Sequence, residues 1–200
     1  SWSMDTWDIP RLRGVSHAYA FFVAVVAAVL LIVLTPGGAP RTAAAVYGLD
    51  LAELRDSGTD YLPTVLSSKA RSAVRRTARK LQAYDTVAKT PSGLDKPGQS
   101  SSAYDLALIA RAGLQNPDFR RYITTKVAKF PAPKKWYEIA NHNKLLWRYP
   151  GTIGVKTGYT RRAGYSLVAA ARRSGRTLIA VVVGSPNMYA QASELLDRGF

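Results

Sequence analysis

The run from Ala18 to Leu34, AYAFFVAVVAAVLLIVL, holds no charged residue, no proline and no glycine. A helix built from it has no polar side to show water, so it must be buried all round, in a bilayer or in a protein core. With Gly14 to His17 ahead of it the run approaches the ~20 residues that cross a bilayer. Arg11 and Arg13 precede it and Thr35-Pro36-Gly37-Gly38 ends it, which predicts a cytoplasmic N-terminus and an exported remainder. The expectation is a single-pass membrane protein with an extracytoplasmic C-terminal part. Two other readings stay open. Ala43-Ala44-Ala45 is an A-x-A cleavage pattern that would make the run a signal peptide and the product secreted, although the run exceeds the ~7–15 apolar residues usual there. A buried helix of a soluble core is the third.

Composition narrows the partners. Across 200 residues there are 28 Lys+Arg against 13 Asp+Glu, a formal net charge of +15, which favours an anionic partner such as a lipid surface, an acidic polymer or nucleic acid. The chain has no cysteine and only two histidines, His17 and His142. A thiol nucleophile, a disulfide framework and a Cys/His metal site are thereby excluded, and neither a cofactor nor a metal is expected. Residues 36–80 read as a linker with an acidic patch (Asp50, Glu53, Asp56, Asp60), followed by the basic run Arg71, Arg75, Arg76, Arg79 and Lys80. Spaced by four, these bases line one side of a helix with Val74 and Leu81 on other faces. Such a stripe faces either water or anionic lipid headgroups. No aromatic residues interleave with it, so no nucleic acid is expected as a partner.

After Leu81 the punctuation becomes regular. Ser102-Ala-Tyr-Asp105 is a capping box opening a helix with Leu106, Leu108 and Ile109, which stops at Gly113. Asn116-Pro117 predicts an N-cap and first-turn proline for a short helix through Phe119 and Tyr122. Thr152 to Thr160, Tyr165 to Ala171 and Thr177 to Gly184 read as strands. Arg173-Ser-Gly175 should turn the last two into an antiparallel hairpin. Ser185-Pro186-Asn187 reads as the cap of a closing helix with Ala192, Leu195 and Leu196 on its buried side and Gly199 beyond its end.

Chemistry gathers on the first of these strands, Gly154-Val-Lys156-Thr157-Gly158-Tyr159-Thr160. Two glycines weaken a strand and suggest close approach by a ligand or another backbone. Lys156 offers a compact positive charge and Thr157 a hydroxyl donor, a pair suited to holding a carboxylate beside a strand edge. Lys-Thr-Gly is also one of three motifs of penicillin-recognising serine enzymes. Around it stand Thr90-Pro-Ser-Gly-Leu-Asp95, Ser101-Ser-Ala-Tyr-Asp105-Leu-Ala, Asn141-His-Asn143-Lys-Leu-Leu146, Tyr149-Pro-Gly151, Ala163-Gly164-Tyr, Leu167-Val-Ala169-Ala and Ala192 to Phe200. In order and spacing this set resembles the D-alanyl-D-alanine carboxypeptidases of bacterial cell-wall metabolism, serine peptidase family S11, over roughly Leu81 to Phe200. The Asn116-Pro117-Asp118-Phe119 turn and the Tyr149-Pro-Gly151 lead-in are most similar to actinobacterial members.

The resemblance implies an α+β fold, the C-terminal part of a β-lactamase/penicillin-binding-protein-like domain with antiparallel strands packed with helices, here behind an N-terminal transmembrane helix. It also implies a serine acyl-transfer enzyme that removes the terminal D-alanine of peptidoglycan stem peptides and is acylated by β-lactams. In such an enzyme the serine of S-x-x-K attacks, its lysine handles the proton and a middle S-x-N motif assists. Lys156 and Thr157 would engage the substrate's terminal carboxylate, Gly158 would leave room for its backbone, and the Tyr159 main-chain amide would serve as an oxyanion donor. These four are the expected substrate-binding residues, for a stem peptide or a β-lactam.

Here the sequence departs from the family. No lysine has a serine three positions before it: Leu66 precedes Lys69 at that offset, Thr77 precedes Lys80, Thr86 precedes Lys89, Lys126 precedes Lys129 and Ile153 precedes Lys156. Ser67 and Ser68 sit too close to Lys69 to share its helix face, and the one S-x-N, Ser185-Pro-Asn187, follows Lys-Thr-Gly and reads as a cap. No nucleophile or base is found. The expected organisation is a cytoplasmic N-terminus and membrane segment over 1–35, a linker and basic helix over 36–80, and a partial carboxypeptidase-like domain over 81–200, inactive as given. A non-catalytic, membrane-anchored protein binding cell wall or lipid surface is the alternative. Trp136, Tyr137, Trp147 and Tyr149 are either a sugar-stacking platform or core. A sheet cut to three strands should leave an edge open, with Ala43 to Leu51 a candidate neighbour.

Overall fold

The computed structural model of the chain describes residues 68–90, 93–131 and 136–200. The apolar run Ala18 to Leu34, the A-x-A pattern and the Ala43 to Leu51 segment lie outside these residues. Among the described residues no helix is long and apolar enough to cross a membrane.

Helix α1 (Ser68–Lys80) separates two stripes at helical spacing. Val74 and Ala78 are buried with Ala83, Ala88 and Ile109, while Arg75, Arg76 and Arg79 are exposed. Arg71, expected alongside them, is half-buried on the inward side. The helix ends in a Schellman motif: the Ala83 N–H donates to the Ala78 carbonyl at 2.9 Å and the Gln82 N–H to that of Arg79 at 3.0 Å, with Gln82 left-handed at φ 63°. Glycine usually holds that position because a Cβ there costs ~1–2 kcal/mol. Gln82→Gly should therefore stabilise the chain by about 1 kcal/mol, read as a melting temperature ~2–4 °C higher in thermal unfolding.

Helix α2 (Ala103–Gly113) begins as expected, with the Ser102 Oγ accepting from the Asp105 N–H at 3.2 Å. The returning arm of the capping box is absent. The Asp105 carboxylate, only 2% exposed, instead accepts from Thr86 Oγ1 at 2.7 Å and ties α2 to the segment after α1. In α3 (Pro117–Thr124) the Asn116 Oδ1 caps the Asp118 and Phe119 N–H groups, and Phe119 and Ile123 are its buried side. Next comes a hairpin the sequence did not signal, β1 (Val127–Pro131) paired antiparallel with β2 (Trp136–Ala140). A single helical turn, α4 (Leu145–Arg148), leads into the main sheet.

That sheet is three-stranded and antiparallel in the order β3 (Thr152–Thr160), β4 (Gly164–Arg173), β5 (Arg176–Val182). The second and third strands differ by one to two residues from their expected limits. Ser174 and Gly175, at φ 47° and 78°, form the two-residue turn whose twist suits adjacent antiparallel strands. The chain closes with α5 (Met188–Gly199), where three expectations need correction. Leu195, expected on the buried side, is exposed, and Met188 joins Ala192 and Leu196 there instead. Asn187 stands at the helix start but makes no side-chain cap; instead Ser185 Oγ accepts from the Asn187 N–H at 3.1 Å. Gly199 is the last helical residue and not a terminator beyond it. A Cβ there would sit 2.6 Å from Leu178 Cδ1, the tip of a half-buried side chain of β5.

Period-two alternation along β4 divides the core. Leu167, Ala169 and Ala171 face α5 residues Met188, Ala192 and Leu196, while Val168 and Ala170 join Leu106 and Ala110 of α2 with Phe119 and Ile123 of α3. The alanines let helices approach both faces. The result is the expected α+β arrangement, antiparallel strands packed with helices. The strands β3 and β5 are edges among the described residues, and Leu178, Ile179 and Val181 of β5 stay only half-buried.

Candidate functional site

Strand β3 carries the Lys-Thr-Gly sequence, and the structure gives each residue a different environment. Gly154 answers neither a ligand nor a backbone: at φ 137°, its Cβ would lie 2.8 Å from Ile123 Cδ1, so α3 packs onto it. Lys156 is half-buried opposite Val168, and its Nζ donates to the Thr157 carbonyl at 2.6 Å. Burial pushes its amine down from 10.5 to about 8, because withdrawal from water penalises the charged form. At neutral pH it is therefore a mostly protonated but poorly hydrated cation, suited to exchanging water for an anion. Thr157 is buried opposite Leu167, and Gly158 lies opposite Ser166. Ser166 is fully buried and its Oγ accepts from the Gly184 N–H at 3.3 Å, which ties the chain just beyond β5 to β4.

Tyr159 is more than half exposed, and its ring meets that of Tyr165 at 4.6 Å between centroids, tilted by 40°. Both are exposed aromatic neighbours on paired strands. The other aromatics divide. Tyr149 is buried; its hydroxyl donates to Asp197 Oδ1 at 2.5 Å, and the Arg173 guanidinium lies 4.4 Å from its ring centroid. Burial, followed by the hydrogen bond to Asp197, raises its pKa above the usual tyrosine value. Trp147 is exposed on α4. Tyr149 is thus a core and surface-clamp residue, not part of a sugar platform.

Two positions that carry no chemistry in the sequence reading hold the site's margin. Asp95 accepts from Thr160 Oγ1 at 3.1 Å and from the Arg162 N–H at 3.4 Å, and the Ala163 N–H returns to Thr160 Oγ1 at 3.0 Å. The segment after α1 is so tied to the end of β3. Gln99, 3% exposed, organises that segment: its Oε1 accepts from the Lys89 and Thr90 N–H groups and from Thr90 Oγ1, and its Nε2 donates to the Leu94 carbonyl. A lone polar residue between Gly98 and Ser100 gave no sequence signal. Asn141 and Asn143 are structural too. Asn141 Nδ2 donates to the Ile123 and Thr125 carbonyls, and its Oδ1 and that of Asn143 accept from the Asn143 and Leu145 N–H groups. These bonds guide the chain from β2 into α4.

A strand that is an edge among the described residues offers main-chain groups to an extended peptide, and β3 carries a half-buried cation and a hydroxyl. Together with helices on both faces of an antiparallel sheet, this defines the penicillin-binding/β-lactamase-like class. The solved structure of a penicillin-binding protein homologue from Mycobacterium tuberculosis superposes with a TM-score of 0.78 at 30% identity, covering 95% of this chain and 84% of that one. Residues 72–187 match the family model Peptidase_S11, D-alanyl-D-alanine carboxypeptidase, and the chain belongs to that family. The D-alanyl-D-alanine carboxypeptidase DacB2 of Mycobacterium tuberculosis is 44% identical over 145 residues, 68% of this chain and 48% of its own length. DacF of Bacillus subtilis is 31% identical over 176 residues, 84% of this chain and 45% of its own. The chain thus spans about half the length of these curated relatives.

Proposed function

We propose that this chain binds the D-Ala-D-Ala end of a peptidoglycan stem peptide, or the β-lactam that resembles it, along β3, and that these 200 residues do not cleave it. The observation that carries the reading is the half-buried Lys156 next to Thr157 on β3, an edge among the described residues. The cation and the Thr157 hydroxyl take the terminal carboxylate, Gly158 admits the peptide backbone, and the exposed Tyr159 flanks it. Family membership supports the substrate class. Cleavage would need an activated hydroxyl next to an amine, and no Ser-x-x-Lys occurs in the sequence. Ser185-Pro-Asn187 is spent on the start of α5. Export and a membrane anchor at Ala18 to Leu34 complete the proposal, which sets the site among wall polymers.

The test uses the full chain in detergent, exposed to a fluorescent penicillin and to a peptide ending in D-Ala-D-Ala. The expected result is no covalent label and no released D-alanine, with reversible peptide binding that weakens about tenfold in Lys156→Ala, a loss of ~1.4 kcal/mol typical of a charge-assisted contact. One label per chain overturns the non-cleaving assignment. Peptide binding indifferent to Lys156→Ala overturns the site.

A further inference from the structure

The exposed side of α1 carries a concentrated positive charge. Ser72, Arg75, Arg76 and Arg79 recur at helical spacing, so their side chains share one face, and they line a recess of about 320 Å³. The helix contains no acidic residue. Among the described residues the ion pairs are Arg121–Asp118, Arg173–Asp197 and Arg198–Glu194, all on other elements. The opposite stripe, Val74 and Ala78, is buried with Ala83, Ala88 and Ile109, which fixes the arginines outward on a packed base. No large apolar side chain interrupts the exposed stripe, so it is built to rest on a charged surface without inserting.

We infer that this arginine face of α1 docks on an anionic phospholipid surface, with guanidinium groups on lipid phosphates. Charge complementarity carries the choice of occupant: planar guanidinium forks match phosphate oxygens two at a time, and an anionic leaflet attracts basic segments near it. The membrane anchor proposed above strengthens the choice. Ser68 follows Leu34 by 34 residues, a separation that holds α1 within ~120 Å of the bilayer even fully extended. Each arginine near such a surface contributes about fivefold in partitioning, so three contribute about 100-fold. The contact is electrostatic and must fade as ~1 M salt shortens the screening length to ~3 Å.

A chain without cysteine takes a single reporter. The full chain carrying Ser72→Cys, labelled with a polarity-sensitive dye, is reconstituted in vesicles of phosphatidylglycerol or of phosphatidylcholine; Gln191→Cys on α5 is the control label. The expected result is a blue shift of the Ser72 label in phosphatidylglycerol alone, abolished by ~1 M salt and by Arg75→Gln/Arg76→Gln/Arg79→Gln, and reduced but retained when the same three become lysine, which keeps the charge and loses the two-point fork. An unshifted Ser72 label, an equal shift at Gln191, or a shift that survives the glutamine variant overturns the proposal. So does a shift produced in phosphatidylcholine vesicles by added soluble polyphosphate, which would assign the face to a polymer. These readouts do not depend on peptide binding at β3.

Discussion

Replacing Lys156 by methionine should make the chain more stable at pH 7 while removing its hold on a peptide carboxylate. The amine titrates near 8 in the fold against 10.5 for an unhindered lysine, through burial. Below about pH 8 both folded and unfolded chains carry the proton, and the fold bears the full cost of a charge withdrawn from water. Between about 8 and 10.5 only the unfolded chain is protonated, so stability rises with pH, and above 10.5 the cost is gone. The gap corresponds to roughly 3 kcal/mol at most. Methionine keeps the stem and drops the charge but leaves the Thr157 carbonyl without the Nζ donor, a loss of about 1 kcal/mol, so Lys156→Met should gain about 1–2 kcal/mol at pH 7 and flatten the rise. Denaturant unfolding from pH 7 to 9.5 checks this, a range that stops short of tyrosine ionisation, since Tyr149 and Tyr189 are both raised above 10.0 by burial. Carboxylate binding by the unaltered chain should weaken as pH climbs through about 8, the opposite direction to stability. An unchanged slope in the methionine variant would refute the buried-cation account. A lysine retained at a cost to the fold agrees with a binding role for Lys156.

The elements legible in the sequence are those with local causes. Ser102, Asn116-Pro117 and Ser174-Gly175 act through bonds or dihedrals within three residues, and each does so in the structure. The β1–β2 hairpin escaped because Pro131 ends one strand and only partner pairing, Val127 opposite Ala140 through Pro131 opposite Trp136, makes strands of such short, breaker-flanked segments. Asp105 misled for a similar reason: its spacing from Ser102 fits a capping box, yet Thr86, 19 residues away in sequence, claims the carboxylate. At the candidate site, Lys156 and Thr157 were legible as chemistry on a strand. The burial that depresses Lys156 was not, because it is created by elements packed from elsewhere. Gly154 shows the reverse error, a glycine packed against the Ile123 side chain read as close approach by a ligand or another backbone.

Gln99→Leu should be the most damaging single change outside the hydrophobic clusters. Leucine fills similar volume but accepts nothing, and it leaves the Lys89 and Thr90 N–H groups, which meet Gln99 Oε1 at 3.1 and 3.0 Å, without an acceptor. Thr90 Oγ1 loses less, because it also reaches the Leu94 carbonyl at 3.3 Å. Stranded donors of this kind cost ~1–3 kcal/mol each, so the variant should lose about 2–5 kcal/mol. Gln99→Glu retains the acceptor and forfeits only the Nε2 bond to Leu94, so it should lose less. The damage should also travel. Gln99 shapes the segment that bears Asp95, and Asp95 holds Thr160 and Arg162 at the end of β3. In Gln99→Leu the Arg162 and Ala163 amides should exchange hydrogen faster than in the unaltered chain. The Arg173 and Arg176 amides, at the β4–β5 turn on the sheet's other end, should keep their rates relative to global unfolding. Equal acceleration at both ends would mean that Gln99 supports the fold at large and has no particular hold on β3. Acceleration confined to Arg162 and Ala163, with weaker peptide binding, would make a buried amide far from Lys156 in sequence a positioning residue for the strand that carries it.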